Sequence, residues 1–196
     1  MKRRKLLPLV VLGLASVGCQ ATRAGYETAP YRVLQAKGDF EVRDYPVLTI
    51  VETPMSQGGS GSSDSFQSLF RFITGANDAK QEIPMTTPVF MLSANSDATM
   101  AFVMPAKMKA REVPRPSDSL LTVRELPAGR FAVLRFSGGR DGKKEETCAK
   151  RLREWLASEG LKELSPPIYG YFDPPWIPAF LRRNEVMIRI EVAEQN

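Results

Sequence analysis

Apolar and polar positions in this chain alternate, recur at helical spacing or run unbroken, and each pattern marks its own stretch. Residues 6–15 form an apolar run interrupted only by Pro8 and Gly13. From Tyr31 alternation takes over: 31–36 and 40–45 read as strands around the Lys37-Gly38-Asp39 turn, and 47–51 continues as a β-branched run. The Gly/Ser stretch 58–63 reads as a flexible loop, after which Asp64 or Ser65 is placed to cap a helix. Phe66, Leu69, Phe70 and Ile73 then fall at i, i+3, i+4 and i+7, one helical stripe that Gly75 terminates. Segments 83–92 and 99–104 read as two further strands, and the Pro-, Lys- and Arg-rich stretch 105–119 as a connection.

The plan then repeats. Strands are expected at 121–126 and 130–136 around Pro127-Ala128-Gly129, followed by a Gly-rich loop at 137–142. A second helix carries Cys148, Leu152, Trp155 and Leu156 on one face and ends at Gly160. Strands at 168–172 and 185–192 close the chain, with Val186, Ile188, Ile190 and Val192 sharing a face. Val42-Arg43-Asp44-Tyr45-Pro46 matches Val123-Arg124-Glu125-Leu126-Pro127, 81 positions on, and Thr87-Pro88-Val89-Phe90 matches Pro166-Pro167-Ile168-Tyr169, 79 positions on. The expected fold is therefore α+β: two pseudo-symmetric halves, about 26–104 and 121–196, forming a twisted, partly closed, largely antiparallel sheet of eight strands with two helices.

The start of the chain changes the charge argument. Lys2-Arg3-Arg4-Lys5 precedes the apolar run, which is too short to span a bilayer, so residues 1–18 read as an export signal. Ser16-Val17-Gly18-Cys19 resembles a bacterial lipobox, with Ser16 where Leu is usual; ordinary cleavage nearby, after Ala21 for instance, is the alternative. The expected organisation is a signal at 1–18 cleaved before an acylated Cys19, a tether at 19–25 and a domain at 26–196. It implies a cell-envelope protein, lipid-anchored through Cys19, on the periplasmic face of the outer membrane. The whole chain carries 27 basic and 22 acidic side chains. Four of the basic ones lie in residues 1–18, which hold no acidic residue, so the remainder is close to neutral and offers no electrostatic case for nucleic acid.

Candidate chemistry is sparse. There is no histidine, which removes the commonest general base and metal ligand, and the Gly/Ser loop lacks the ending of a phosphate-binding loop. With Cys19 acylated, Cys148 is an unpaired thiol whose place on an apolar helix face suits a small core residue. A binding module is thus expected rather than an enzyme. Phe72 falls off the stripe of the first helix, near Ser65 and Ser68; it is either an isolated exposed aromatic or a platform for a flat ligand. Segment 171–185 holds three prolines, Trp176, Phe180 and Arg182-Arg183. It is either a plug over the end of the sheet or a stiff loop for an apolar ligand bearing carboxylates, with Arg183 open to a structural role.

Phe66-x-x-Leu69-Phe70-x-Phe72-Ile73-x-Gly75, Ile83-Pro-Met-Thr-Thr-Pro-Val89, Asp173-Pro-Pro-Trp176 and Arg182-Arg-Asn-Glu185, in that order, resemble the SOUL haem-binding protein family over about residues 25–192. The resemblance implies haem or another porphyrin as ligand, carried or buffered rather than transformed. It places the tetrapyrrole against the first helix at Ser68, Leu69, Arg71 and Phe72 and against the last loop at Trp176, Ile177, Phe180 and Arg182. Some members hold the iron through a His that this chain lacks, so binding rests on ring contacts and carboxylate–Arg pairs. Another flat apolar ligand, or a partner-binding envelope lipoprotein with no small ligand, is the alternative; no protein partner is identified by the sequence.

Overall fold

The computed structural model describes residues 25–55, 61–94 and 97–192. The expected signal, Cys19 and nearly all of the tether lie outside the described residues, as do 58–60 of the expected 58–63 loop, whose remaining residues are helical. In chain order the first half holds β1 (Glu27–Thr28), β2 (Arg32–Lys37), β3 (Phe40–Tyr45), β4 (Leu48–Pro54), α1 (Gly61–Ile73), β5 (Thr86–Thr87), β6 (Val89–Ala94) and β7 (Asp97–Val103). The second holds β8 (Thr122–Leu126), β9 (Gly129–Phe136), α2 (Gly142–Ser158), β10 (Ile168–Tyr171) and β11 (Asn184–Arg189). α1 starts at Gly61, a turn before the expected cap at Asp64 or Ser65.

The main sheet runs β2-β3-β9-β11-β10-β6-β7-β4-β8, each neighbouring pair antiparallel. Its shape follows from two short links. β3 is second in the order and β4 eighth, yet only Pro46 and Val47 join them. Three Cα–Cα steps reach at most about 11 Å, whereas six strand spacings across a flat sheet measure about 29 Å. The sheet must therefore curl until its ends approach. Pro127-Ala128, between ninth-placed β8 and third-placed β9, imposes the same curl.

Without β2, the order reads identically from either end when β3, β4, β6 and β7 exchange with β8, β9, β10 and β11. The matched segments are thus β3 with β8 and the start of β6 with β10. The expected count of eight strands is corrected to nine, because β2 pairs along the outer edge of β3 and has no counterpart in the second half. A separate pair forms where β1 lies parallel to β5.

Strand side chains alternate between faces, which gives the sheet two outer cores and one inner core. Outside, α2 lays Cys148, Ala149, Leu152, Trp155 and Leu156 on Val42, Ala132, Leu134, Val186, Ile188 and Ile190. α1 covers the other end of that face, setting Leu69, Phe72 and Ile73 against Val51, Met100 and Phe102. Inside the curl, Tyr45, Leu48, Ile50, Phe90, Val103, Phe131, Val133 and Met187 pack on one another across the sheet. The open side is strapped by residues 27–31: the Ala29 amide donates to the Thr87 carbonyl at 2.7 Å, and Ala29 and Tyr31 join the inner core. Val192 does not continue the buried face of Val186, Ile188 and Ile190; it is exposed beyond the end of β11.

Candidate functional site

The β10–β11 loop is held in shape by its own prolines and arginine. The Ile177 amide donates to the Pro174 carbonyl at 3.1 Å, and the Leu181 amide to that of Pro178 at 2.9 Å, which closes a 3-10 turn at Ala179–Leu181. Arg182 folds back across the loop, Nε donating to the Ile177 carbonyl at 2.7 Å and Nη2 to the Pro175 carbonyl. At its base the Arg183 amide donates to Asp173 Oδ2 at 2.6 Å. The loop is also tied to the β9–α2 loop: the Gly138 amide donates to the Ala179 carbonyl, and Asn184 Nδ2 to the Gly138 carbonyl, both at 2.9 Å.

With its polar groups turned inward, the loop presents apolar ones to solvent. Trp176 is 73% exposed, Phe180 75% and Leu181 56%, while Ile177 is half-buried. Large side chains exposed together on a braced segment are unusual and mark contact surfaces. Cations sit beside them. Lys144 Nζ lies against Gly138, where a side chain would collide with it. Arg140, two residues on, contacts Ser62 of α1 and lies 3.9 Å from Glu145. Asp141 caps α2 by accepting the Lys143 amide at 2.9 Å and so fixes the direction in which these lysines leave the loop.

The α1 half of the expected site is corrected. Phe72 is 1% exposed and Leu69 fully buried, both in the core beneath the helix, so neither is a platform. The exposed aromatic is Phe70, stacked on Phe66 with ring centroids 6.0 Å apart. The buried positions are Ser65, Leu69, Phe72 and Ile73, at i, i+4, i+7 and i+8. Ser65 fits inside because its hydroxyl donates to the Pro54 carbonyl at 3.0 Å. Arg71 is exposed and donates to half-buried Ser68 Oγ at 3.1 Å. The first turn of α1 reaches the β9–α2 loop, where Arg140 donates to Ser62 Oγ, and that loop is in turn tied to the β10–β11 loop at Gly138. Arg140 and Lys144 were missed; the signal available was a basic cluster flanking the cap residue Asp141.

Inside the curl a charged network underlies the loop. Arg43 is fully buried; its Nη1 and Nη2 reach Glu185 at 2.7 and 2.9 Å, its Nε reaches Glu41 at 2.6 Å, and its guanidinium lies 4.2 Å from the Tyr31 ring centroid. Arg183 bonds the same Glu185 and stacks 4.2 Å from the Phe172 centroid, contacts that tie it into the core of the fold. Burial alone would raise the Glu185 carboxyl, but Arg43 and Arg183 beside it hold it below its ordinary value. Tyr45 is pushed up by burial. The matched arginine of the other half does similar work: Arg124 binds Glu52 at 2.6 and 2.8 Å. Among the described residues no cluster of His, Cys, Asp and Glu is placed to hold a metal ion, and no helix is long and apolar enough to cross a membrane.

Two cavities among the described residues are lined by none of the residues named from the sequence as a site. One, of about 10 Å³, lies in the inner core. The other, about 590 Å³, opens where the β3–β4 turn meets the chain after β7.

The family model described as SOUL heme-binding protein matches residues 26–189. No curated protein matches the chain. Among solved structures, the C-terminal domain of EcmrR is similar with a TM-score of 0.60 at 12% identity, over 78% of this chain and 96% of that one. A protein described as a hydrolase from Listeria innocua gives 0.57 at 10% identity, over 81% and 94%. At such identities these likenesses concern the fold alone.

Proposed function

This chain belongs to the SOUL heme-binding protein family, and from that premise we propose that it carries or buffers a tetrapyrrole in the cell envelope without transforming it. The observation that carries the reading is the braced β10–β11 loop, which holds Trp176 and Phe180 outward beside Lys144 and Arg140. A porphyrin is a flat apolar ring with carboxylates on one edge. The two aromatic side chains and Leu181 suit its face, and the two cations suit its carboxylates. Arg182 positions the ring contacts by holding the loop carbonyls, and Arg183 anchors the loop to Glu185. Leu69 and Phe72 are buried in the core beneath α1 and offer no face to a ligand. Fit is therefore good for the ring and its edge, and the reading asks for no bond to iron. Location follows from the sequence: the basic start, the short apolar run and Cys19 support a lipid-anchored envelope protein.

Titration of the purified domain with haem and with metal-free protoporphyrin tests this. Both should bind within about tenfold of each other, or ~1.4 kcal/mol. Trp176→Ala and Phe180→Ala should weaken both together, and Lys144→Gln should weaken both more than it weakens a porphyrin without carboxylates. Binding of neither ligand would defeat the reading. A hundredfold preference for haem would mean that an iron ligand, and not ring contact, holds it.

A further inference from the structure

The two halves differ at one equivalent corner. The registers β3–β9 and β8–β4 make Gly129 the counterpart of Leu48; β11–β9 and β7–β4 make Arg189 the counterpart of Val103. In the second half the corner is plugged. Arg189 lies 4.9 Å from the Phe131 ring centroid and donates to the Ala128 and Pro127 carbonyls at 2.8 and 2.6 Å. Any side chain at Gly129 would collide with that guanidinium. In the first half Val103 is too short to reach the turn. The chain after β7 instead arches over the corner and leaves the 590 Å³ cavity beneath it.

That volume is in the range of small-molecule sites, about 300–1,000 Å³. Its wall is mixed: Pro30, Pro46, Val47, Met104 and Met108 form an apolar part, and Thr49, Lys109, Arg111 and Glu125 a polar one. Lys109 and Arg111 stand on the arch and are exposed at its rim; Glu125 is in the lining, Glu112 lies 3.9 Å from Arg111, and Glu27 accepts the Ala106 amide at 2.7 Å. Unbranched methionine side chains adapt to irregular ligands, and the exposed Lys109 ammonium and Arg111 guanidinium at the rim are groups that bind a negative head group. We propose that this corner is a second binding site, separate from the porphyrin surface, for an amphiphilic anion: an apolar body bearing a single carboxylate or phosphate.

The probe is 8-anilinonaphthalene-1-sulfonate, whose fluorescence rises in an apolar site, displaced by laurate, dodecyl phosphate or dodecylammonium below their micelle-forming concentrations. Laurate and dodecyl phosphate should displace it at least tenfold better than dodecylammonium. Their relative strengths tell a fatty-acid source from a phospholipid one. Lys109→Gln with Arg111→Gln, both on exposed side chains, should weaken laurate about tenfold and leave the melting temperature unchanged. Ala110→Trp, which fills the cavity, should remove probe binding, while Trp176→Ala should leave it intact. Equal displacement by dodecylammonium, or a laurate affinity indifferent to the double glutamine change, would overturn the proposal. Loss of the probe with Trp176→Ala would show that it reports the porphyrin surface instead. Because haem titration reads Trp176 and probe displacement reads Lys109 and Arg111, either site can fail without the other.

Discussion

Removing Arg43 leaves Glu185 fully buried with one of its three guanidinium partners, Arg43, Arg183 and Arg135, gone. Stripping one partner from such a pair costs about 3–5 kcal/mol, so Arg43→Ala should lose that much in urea unfolding. The pair also sets a pH limit. Glu185 is held below its ordinary 4.5, so its contribution is fully present above that pH and is lost as pH falls through the depressed folded value. Stability should decline below about pH 4.5, and Glu185→Gln should flatten the decline; an unchanged acid limb in the variant would refute this. Phe72 carries the second expectation at this scale. As a core residue, its change to Ala should cost about 3–5 kcal/mol, whereas Trp176→Ala should stay within about 0.5 kcal/mol. Ser65 explains why the sequence misplaced Phe72. A hydroxyl satisfied by a backbone carbonyl is buried without being apolar, and the hydrophobic pattern is blind to it. Two stripes both containing Leu69 and Ile73 were therefore available, and spacing alone chose the wrong one.

Among elements, α2 was the more legible. Its buried face holds Cys148, Leu152, Trp155 and Leu156 as spacing indicated, because all four are apolar and no polar side chain shares the stripe. Cys148 is 3% exposed, and burial raises its thiol above the ordinary value. Both effects slow reaction, so a disulfide reagent should label it only after unfolding; rapid labelling of the native protein would show the helix detached from the sheet. The β10–β11 loop was legible as stiff from its prolines. The direction of its arginines was not, because that depends on which carbonyls the folded loop turns inward. Arg182 ended on Ile177 and Pro175. The cations offered to a ligand's edge, Arg140 and Lys144, come from the β9–α2 loop and the first turn of α2.

For the molecule as a whole, the internal repeat revealed two matching halves, and alternation marked the strand at 31–36, but not that it is an unmatched ninth strand, since an edge strand has the same alternation as a paired one. Nor does periodicity show partners: β3 and β4 adjoin in sequence and lie at opposite ends of the sheet. The envelope proposal is tested by mass. Protein extracted from membranes should carry acyl chains on Cys19, and Cys19→Ser should leave it soluble or unprocessed; a bare N-terminus after Ala21 would reject lipidation. The strand order has a further consequence, in time. β3 finds its inner neighbour only in β9, and β4 its outer one only in β8, so neither half can finish its sheet alone. A ribosome must deliver Phe136 before β3 can be flanked on both sides. Such distant pairings make folding slow, on the order of milliseconds to seconds, and a sheet that closes late would suit the export proposed for this chain.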